Sequence, residues 1–278
     1  MTVSAYIPCF NNSATVLESV NSLRRQTVRV AEVFVVDDGS TDDSVARLEQ
    51  NGVRVIRMEQ NRGRGAVRAR AMLEAGGELV LCCDATNVLP ENFLAQALPW
   101  FAEERVVAVF GRMSQPPGGN AVLRWRGRHL FRIPGPGVPL GSVNRRGQLA
   151  TYGAVVRRAA VLSAGNYDVR LRHTEDADLG QRLLARDWDV VMDPSLVAVS
   201  LAQNTLAQVL ERYWRWNAGK DEAVSLAGYL RTVWYAVRAM APADLKERDW
   251  PAALISLYAP HYQFWRSFFS ANRQHPQA

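Results

Sequence analysis

Short apolar runs alternate with stretches of helical spacing through the first third of the 278-residue chain, and that rhythm limits the fold more than any other feature. Residues 3–8, 33–36, 53–58 and 78–83 read as strands. Between them, residues 13–26, 41–50 and 65–75 carry apolar side chains three and four apart and read as helices, the second opened by a Ser40 or Thr41 cap. Parallel neighbours need a long crossover, usually a helix, so this alternation implies an α/β domain with a mostly parallel central sheet and helices on both faces. In such a sheet ligands bind beyond the carboxyl ends of the strands.

Further along, residues 90–104 read as a helix with Pro90 in its first turn, and residues 106–110 as a strand. Residues 114–148 read as a long irregular segment, broken by Pro116, Pro117, Pro134, Pro136 and Pro139 and studded with Arg124, Arg126, Arg128 and Arg132. A helix over 175–186 and a strand over 189–192 follow. From residue 205 the pattern is helical, with Arg212, Arg215, Arg231, Arg238 and Arg266 interleaved with Trp214, Trp216, Trp234 and Trp265. The expected organisation is a domain over residues 1–204 and a C-terminal helical appendage over 205–278. Two readings of the appendage stay open: aromatic helices lying in a membrane interface, and aromatics packed against the first domain.

Composition narrows the partners. The formal charge is +6, and Lys220 and Lys246 are the only lysines among 33 basic residues. Arginine's rigid donor fork suits phosphates and carboxylates. Helix-turn-helix, zinc and aromatic RNA-binding signatures are missing, so nucleic acid is not an expected partner. Cys9, Cys82 and Cys83 form neither a disulfide framework nor a CxxC pair, and His129, His173, His261 and His275 form neither a spaced metal pair nor a nucleophilic triad. Without a leader pattern at the N-terminus or an uncharged run of ~18 residues, the expectation is a cytoplasmic protein, at most peripheral at the inner face of a membrane.

The sharpest motif is Val35-Val36-Asp37-Asp38-Gly39-Ser40, an apolar strand ending in two carboxylates and a glycine turn. Acidic side chains there face the ligand end of the sheet, although Asp and Ser also cap helices. Around it stand Ile7-Pro8-Cys9-Phe10-Asn11-Asn12, a helix ending Gln26-Thr27, and Asn61-Arg62-Gly63-Arg64-Gly65-Ala66-Val67-Arg68. Together they resemble the family 2 glycosyltransferases of the GT-A fold, and residues 76–93 and 151–194 continue the resemblance in order.

That resemblance implies an inverting transferase. It would move a sugar from a nucleoside-diphosphate sugar to a hydroxyl on a saccharide or lipid-linked acceptor, in polysaccharide or glycolipid synthesis. It gathers Pro8, Phe10, Asn11, Asp37, Asp38, Arg68, Asp84 and Ala85 about the nucleotide-sugar, with Phe10 against the base, Asp38 bonded to it and Asp37 supporting the turn. As a helix residue alone, Arg68 also reads as a solvated side chain. Tyr152, Gly153 and Glu175 are implied beside the acceptor or donor sugar. Asp176, in His173-Thr174-Glu175-Asp176, is implied as the base that takes the acceptor's proton.

The family's Asp-x-Asp motif holds Mn²⁺ or Mg²⁺ against the diphosphate. Here Asp84-Ala85-Thr86 lacks the second carboxylate, and residues 197–201 lack the histidine found in many relatives, which leaves Asp84 and Asn87 as candidate ligands. Arginines between Arg124 and Arg146 are the alternative means of neutralising the leaving diphosphate. The competing functional reading is a degenerate GT-A domain that binds a nucleotide-sugar or a partner protein without catalysis.

Overall fold

The computed structural model of the chain describes residues 1–116, 118–134, 140–217 and 225–271. Pro117, Pro136, Pro139, Lys220 and His275 lie outside the described residues. In chain order come β1 (Val3–Cys9), α1 (Val16–Arg24), β2 (Glu32–Asp37), α2 (Ser44–Gln50), β3 (Arg54–Arg57), α3 (Arg64–Glu74), β4 (Leu79–Cys83), β5 (Asn87–Val88) and α4 (Phe93–Ala97). A 3₁₀ turn (Leu98–Ala102), β6 (Val106–Ser114), α5 (Ala121–His129), β7 (Gly153–Arg157), α6 (Arg158–Ser163), α7 (Glu175–Leu184) and β8 (Asp189–Ser200) follow. Last are α8 (Leu206–Asn217), α9 (Leu226–Tyr235), a π-helical turn (Ala236–Met240), α10 (Ala241–Lys246) and α11 (Trp250–Ala271).

The eight strands form one sheet in the order β3-β2-β1-β4-β7-β6-β8-β5. Parallel pairings join β1 to β2, β1 to β4, β2 to β3 and β6 to β8, while β7 runs antiparallel to β4 and β6, and β5 to β8. Strands β1 and β4 lie inside the sheet and are covered on both faces, which is why they read as near-continuous apolar runs. Edge strand β3 instead exposes Arg54 and Arg57, charges that discourage edge-to-edge pairing.

Three local expectations change. The helix over 90–104 is only the short α4 followed by a 3₁₀ turn, because Pro99 lacks the amide that would continue the ladder. Helix α2 starts at Ser44 with Asp43 before it, so neither Ser40 nor Thr41 caps it. Residues 114–148 are not irregular throughout: α5 forms there, and Asn120 caps it by accepting the Leu123 amide at 3.0 Å.

The chain divides into two compact units, Met1–Gln115 with Pro139–Ala202, and Pro116–Val138 with Gln203–Ala278. The segment Pro116–Val138, expected inside the first domain, therefore belongs to the helical unit. Its chemistry explains this. Trp125, fully buried, packs with Val209, Leu210, Tyr213 and Ala252, and its Nε1 donates to Ser256 Oγ at 2.8 Å. Arg124 pairs with Asp249 at 2.7 Å, and Arg128 and His129 both bind the buried Asp244. Of the aromatics in the appendage, Tyr213 and Trp214 are buried, whereas Trp216, Trp234, Tyr235, Trp265 and Phe268 are exposed. Among the described residues no helix is long and apolar enough to cross a membrane.

Candidate active site

Strands β1 and β2 end level, Cys9 opposite Asp37, and side chains stitch together the turns beyond them. Asn11, in the left-handed region at φ 53°, accepts the Thr41 and Asp42 amides on Oδ1 at 2.9 and 3.3 Å, and its own amide donates to Ser40 Oγ at 2.9 Å. Asp37 is fully buried and accepts the Ser40 amide at 3.0 Å, the turn-supporting role expected of it. Asp38 accepts two backbone amides, Arg62 on Oδ1 and Gly63 on Oδ2, both at 2.8 Å. It thereby fastens the turn that leads into α3, and each oxygen keeps a lone pair for a ligand. Pro8 stays within β1, opposite Val36. Phe10 stands just beyond the strand, 44% exposed, with a ring available to a flat partner.

Helix α3 presses hard on the segment after α6. A Cβ added at Gly65 would lie 2.1 Å from the Asp168 carbonyl oxygen and 2.5 Å from that of Leu171, so only glycine fits. Three residues on, the Arg68 side chain is 1% exposed, which excludes the solvated reading. Its Nη2 donates to Asp84 Oδ1 at 2.7 Å, its Nε to Glu175 Oε1 at 3.0 Å and its Nη1 to the Tyr6 hydroxyl at 3.2 Å. Burial disfavours the guanidinium's charge, but the Tyr6 oxygen and the Asp84 and Glu175 carboxylates outweigh it and hold the pKa above arginine's ordinary value. A buried ion pair is weak evidence for stability. What this one does is tie the end of β4 to the first turn of α7.

The expected sugar-side residues divide. Glu175 is fully buried, bound to Arg68 and 3.6 Å from Arg64, so it is closed to a sugar and positions α7 instead. Gly153 is also buried: a Cβ there would meet Ala198 and Leu89 at 3.0 Å, and the missing side chain permits close packing between strands. Tyr152 donates its hydroxyl to the Gly111 carbonyl at 2.9 Å. Burial, then the charges of Asp176 and Asp84, push its pKa up to about 12, so it feels both carboxylates and stays neutral at physiological pH. Asp176, on the first turn of α7, is partly exposed. Its Oδ1 accepts the Ala177 amide at 2.9 Å, and Oδ2 lies 3.3 and 3.4 Å from the Thr151 hydroxyl and amide. Sequence reasoning missed Tyr6, Arg64 and Thr151. A signal for the buried cluster was present: Arg68 sits among Ala66, Val67, Ala69, Ala71 and Met72, on the apolar face of α3.

Residues 4–161, more than half of the chain, match the sequence model of glycosyl transferase family 2. The chain belongs to that family. A curated relative, poly-beta-1,6-N-acetyl-D-glucosamine synthase of Staphylococcus epidermidis, is 21% identical over 85% of this chain, which spans only 57% of the relative's length. Among solved structures, the mannosyltransferase PcManGT from Pyrobaculum calidifontis, in complex with GDP-Man and Mn²⁺, superposes with a TM-score of 0.57 at 17% identity, covering 99% of this chain and 76% of that one. TarS 1–349 of S. aureus, in complex with UDP-GlcNAc, gives 0.55 at 18% identity, covering 99% and 92%. These likenesses show a GT-A-like fold with C-terminal helices.

The metal position departs from a two-carboxylate site. Asp84 is bonded to Arg68, Thr86 occupies the second acidic position, and Asn87 is buried with its side-chain amide donating to the Tyr152 carbonyl at 3.0 Å. The Ala85 carbonyl accepts the Thr15 hydroxyl at 2.7 Å. Among the described residues no group of three His, Cys, Asp or Glu side chains could hold a metal ion. The donor set does not fit a divalent ion held by protein side chains alone, and the Asn87 amide nitrogen is already committed to Tyr152. Five of the six alternative arginines are engaged elsewhere, while Arg132 is exposed. Arg124 and Arg128 pair with Asp249 and Asp244, Arg145 with Glu103 and Asp189, and Arg146 with Asp187. Arg126 lies buried over the Phe131 ring at 4.6 Å, its pKa pushed down to about 10 by burial and by Arg212.

Proposed function

We propose that this chain is an inverting glycosyltransferase that passes a sugar from a nucleoside-diphosphate sugar to a hydroxyl of a saccharide or lipid-linked acceptor, at the inner face of a membrane. The carrying observation is the Asp84–Arg68–Glu175 chain, which couples the strand end where a nucleotide-sugar would sit to the turn bearing Asp176. In this reading Phe10 stacks on the base, Asp38 accepts from it while holding the 61–65 turn, and Asp84 faces the donor. Pro8, Asn11, Asp37 and Ala85 shape that cradle rather than touch the sugar, and Tyr152 lines the far side. The Asp176 carboxylate takes the acceptor hydroxyl's proton as that oxygen bonds to the anomeric carbon. The bond to the diphosphate oxygen breaks on the opposite face, its electron pair leaves with the nucleoside diphosphate, and the configuration inverts.

Partly exposed Asp176, next to the Arg68 cluster that joins the end of β4 to α7, supports turnover over a domain that only binds. The test is a panel of uridine- and guanosine-diphosphate sugars, read by release of the nucleoside diphosphate and by the anomeric proton coupling of the product. Turnover with inverted configuration is expected. Donor binding by calorimetry without turnover across the panel favours the non-catalytic reading.

A further inference from the structure

Twelve of the twenty large apolar side chains that the described residues leave exposed fall between Leu226 and Phe268, in the helical unit. They follow helical spacing. Leu226, Leu230, Trp234 and Val237 run along α9 and the π-helical turn at intervals of four, four and three; Trp250, Leu254, Leu257, Tyr258, Trp265 and Phe268 run along α11 in the same manner. The other face of α11 supplies Ala252, Ile255 and Ala259 to the core around Trp125, so the stripes are what that core leaves over. Soluble proteins seldom expose so concentrated an apolar surface without a partner.

Charge indicates which partner. Residues 226–240 contain no Asp or Glu, and α11 contains none either. Over residues 225–268 the exposed charged side chains are Arg231, Arg238, Lys246 and Arg248 against Glu247. Arg238 lies over the Trp234 ring at 5.9 Å, cation and aromatic side by side. Arg266 is drawn inward to Glu211 at 3.0 Å. A second copy docked on this face would set cation against cation with one acid to answer them. An anionic lipid leaflet answers both properties, since its acyl boundary receives the Trp and Leu side chains while its headgroups meet the arginines. No described helix can span a membrane, so the helices would lie in the interface plane.

We infer that the exposed stripes of α9 and α11, with Arg231 and Arg238, form a docking surface for anionic lipid. The inference deepens the proposed membrane-face location and requires no catalysis. The full chain is floated with vesicles of phosphatidylcholine and with vesicles of equal parts phosphatidylcholine and phosphatidylglycerol, without donor. Partition into the anionic vesicles is expected, weakened about fivefold by each of Arg231→Gln and Arg238→Gln. It is also expected to be lost in Leu230→Ser/Trp234→Ser/Leu254→Ser. Should the triple variant not fold, the two arginine variants decide, since both positions are exposed and neither belongs to the transferase site. Absence of vesicle binding, equal binding to both vesicles, unchanged binding in the arginine variants, or a dimer in light scattering that the triple variant disperses each overturns the inference. A chain that binds vesicles yet turns over no donor overturns the transferase reading alone.

Discussion

Removing the guanidinium of Arg68 is the most informative perturbation of the site. Arg68→Met keeps the aliphatic bulk and deletes three hydrogen bonds, to Asp84, Glu175 and Tyr6. Asp84 is 28% exposed and can recover water, but Glu175 is fully buried. Its remaining cation is Arg64 at 3.6 Å, and its Oε2 already has no hydrogen-bond partner among the described residues. Leaving a buried charge uncompensated costs about 3–5 kcal/mol. The expected loss for Arg68→Met is therefore about 3 kcal/mol, since Arg64 partly compensates. Glu175→Gln keeps an acceptor for Arg68 and should cost about 1 kcal/mol. The double variant should be about 2 kcal/mol less damaged than the sum of the singles, because it removes both charges. Urea unfolding, fitted to as many transitions as the two units give, measures all three. A cost below about 1 kcal/mol for Arg68→Met, or strict additivity, refutes the view that this pair braces the site.

Other outcomes follow from single contacts. Gly65→Ala should cost about 3 kcal/mol or prevent folding, because its Cβ meets two backbone carbonyls that cannot swing aside; a melt within ~0.5 kcal/mol of the parent contradicts the close approach. Phe10→Ala should leave the melt unchanged and weaken donor binding roughly fivefold in calorimetry, as expected for loss of one stacking face; unchanged affinity removes Phe10 from the base. Burial raises the Asp244 pKa, but bonds from His129, Ser256 and Arg128 more than reverse this and hold it below its ordinary 3.8. A depressed carboxylate stabilises the fold fully above its unfolded value and loses that contribution as pH falls through the folded one. Stability of the helical unit should accordingly hold down to about pH 4 and decline below it, and Asp244→Asn should flatten the decline.

Most of the sheet was legible because β1 and β4 are covered on both faces and β2 buries its Phe34-Val35-Val36 run, which makes each of them predominantly apolar. The turn chemistry of Asp37 was legible for a similar reason, since a carboxylate at a strand end has few partners besides the next turn. Helix α5 was hidden: prolines and glycines flank its nine residues, and its stabilising partners Asp244, Asp249 and Ser256 lie more than a hundred residues downstream. The role of Glu175 was likewise invisible, because a carboxylate on a first helical turn looks the same whether it faces water or a buried arginine 107 residues away. Thr86 was readable as a lost ligand, but only the structure shows Asn87 turned toward the Tyr152 carbonyl and Asp84 bound to Arg68.

The most direct measurement of Asp176 as the base is kcat of Asp176→Asn alongside its donor affinity. Asparagine keeps the shape, its single oxygen can accept from the Ala177 amide and its nitrogen can donate to the Thr151 hydroxyl, so the fold and donor binding should stay close to the parent while kcat falls about a thousandfold. Turnover within a few-fold of the parent, with donor binding intact, contradicts the account.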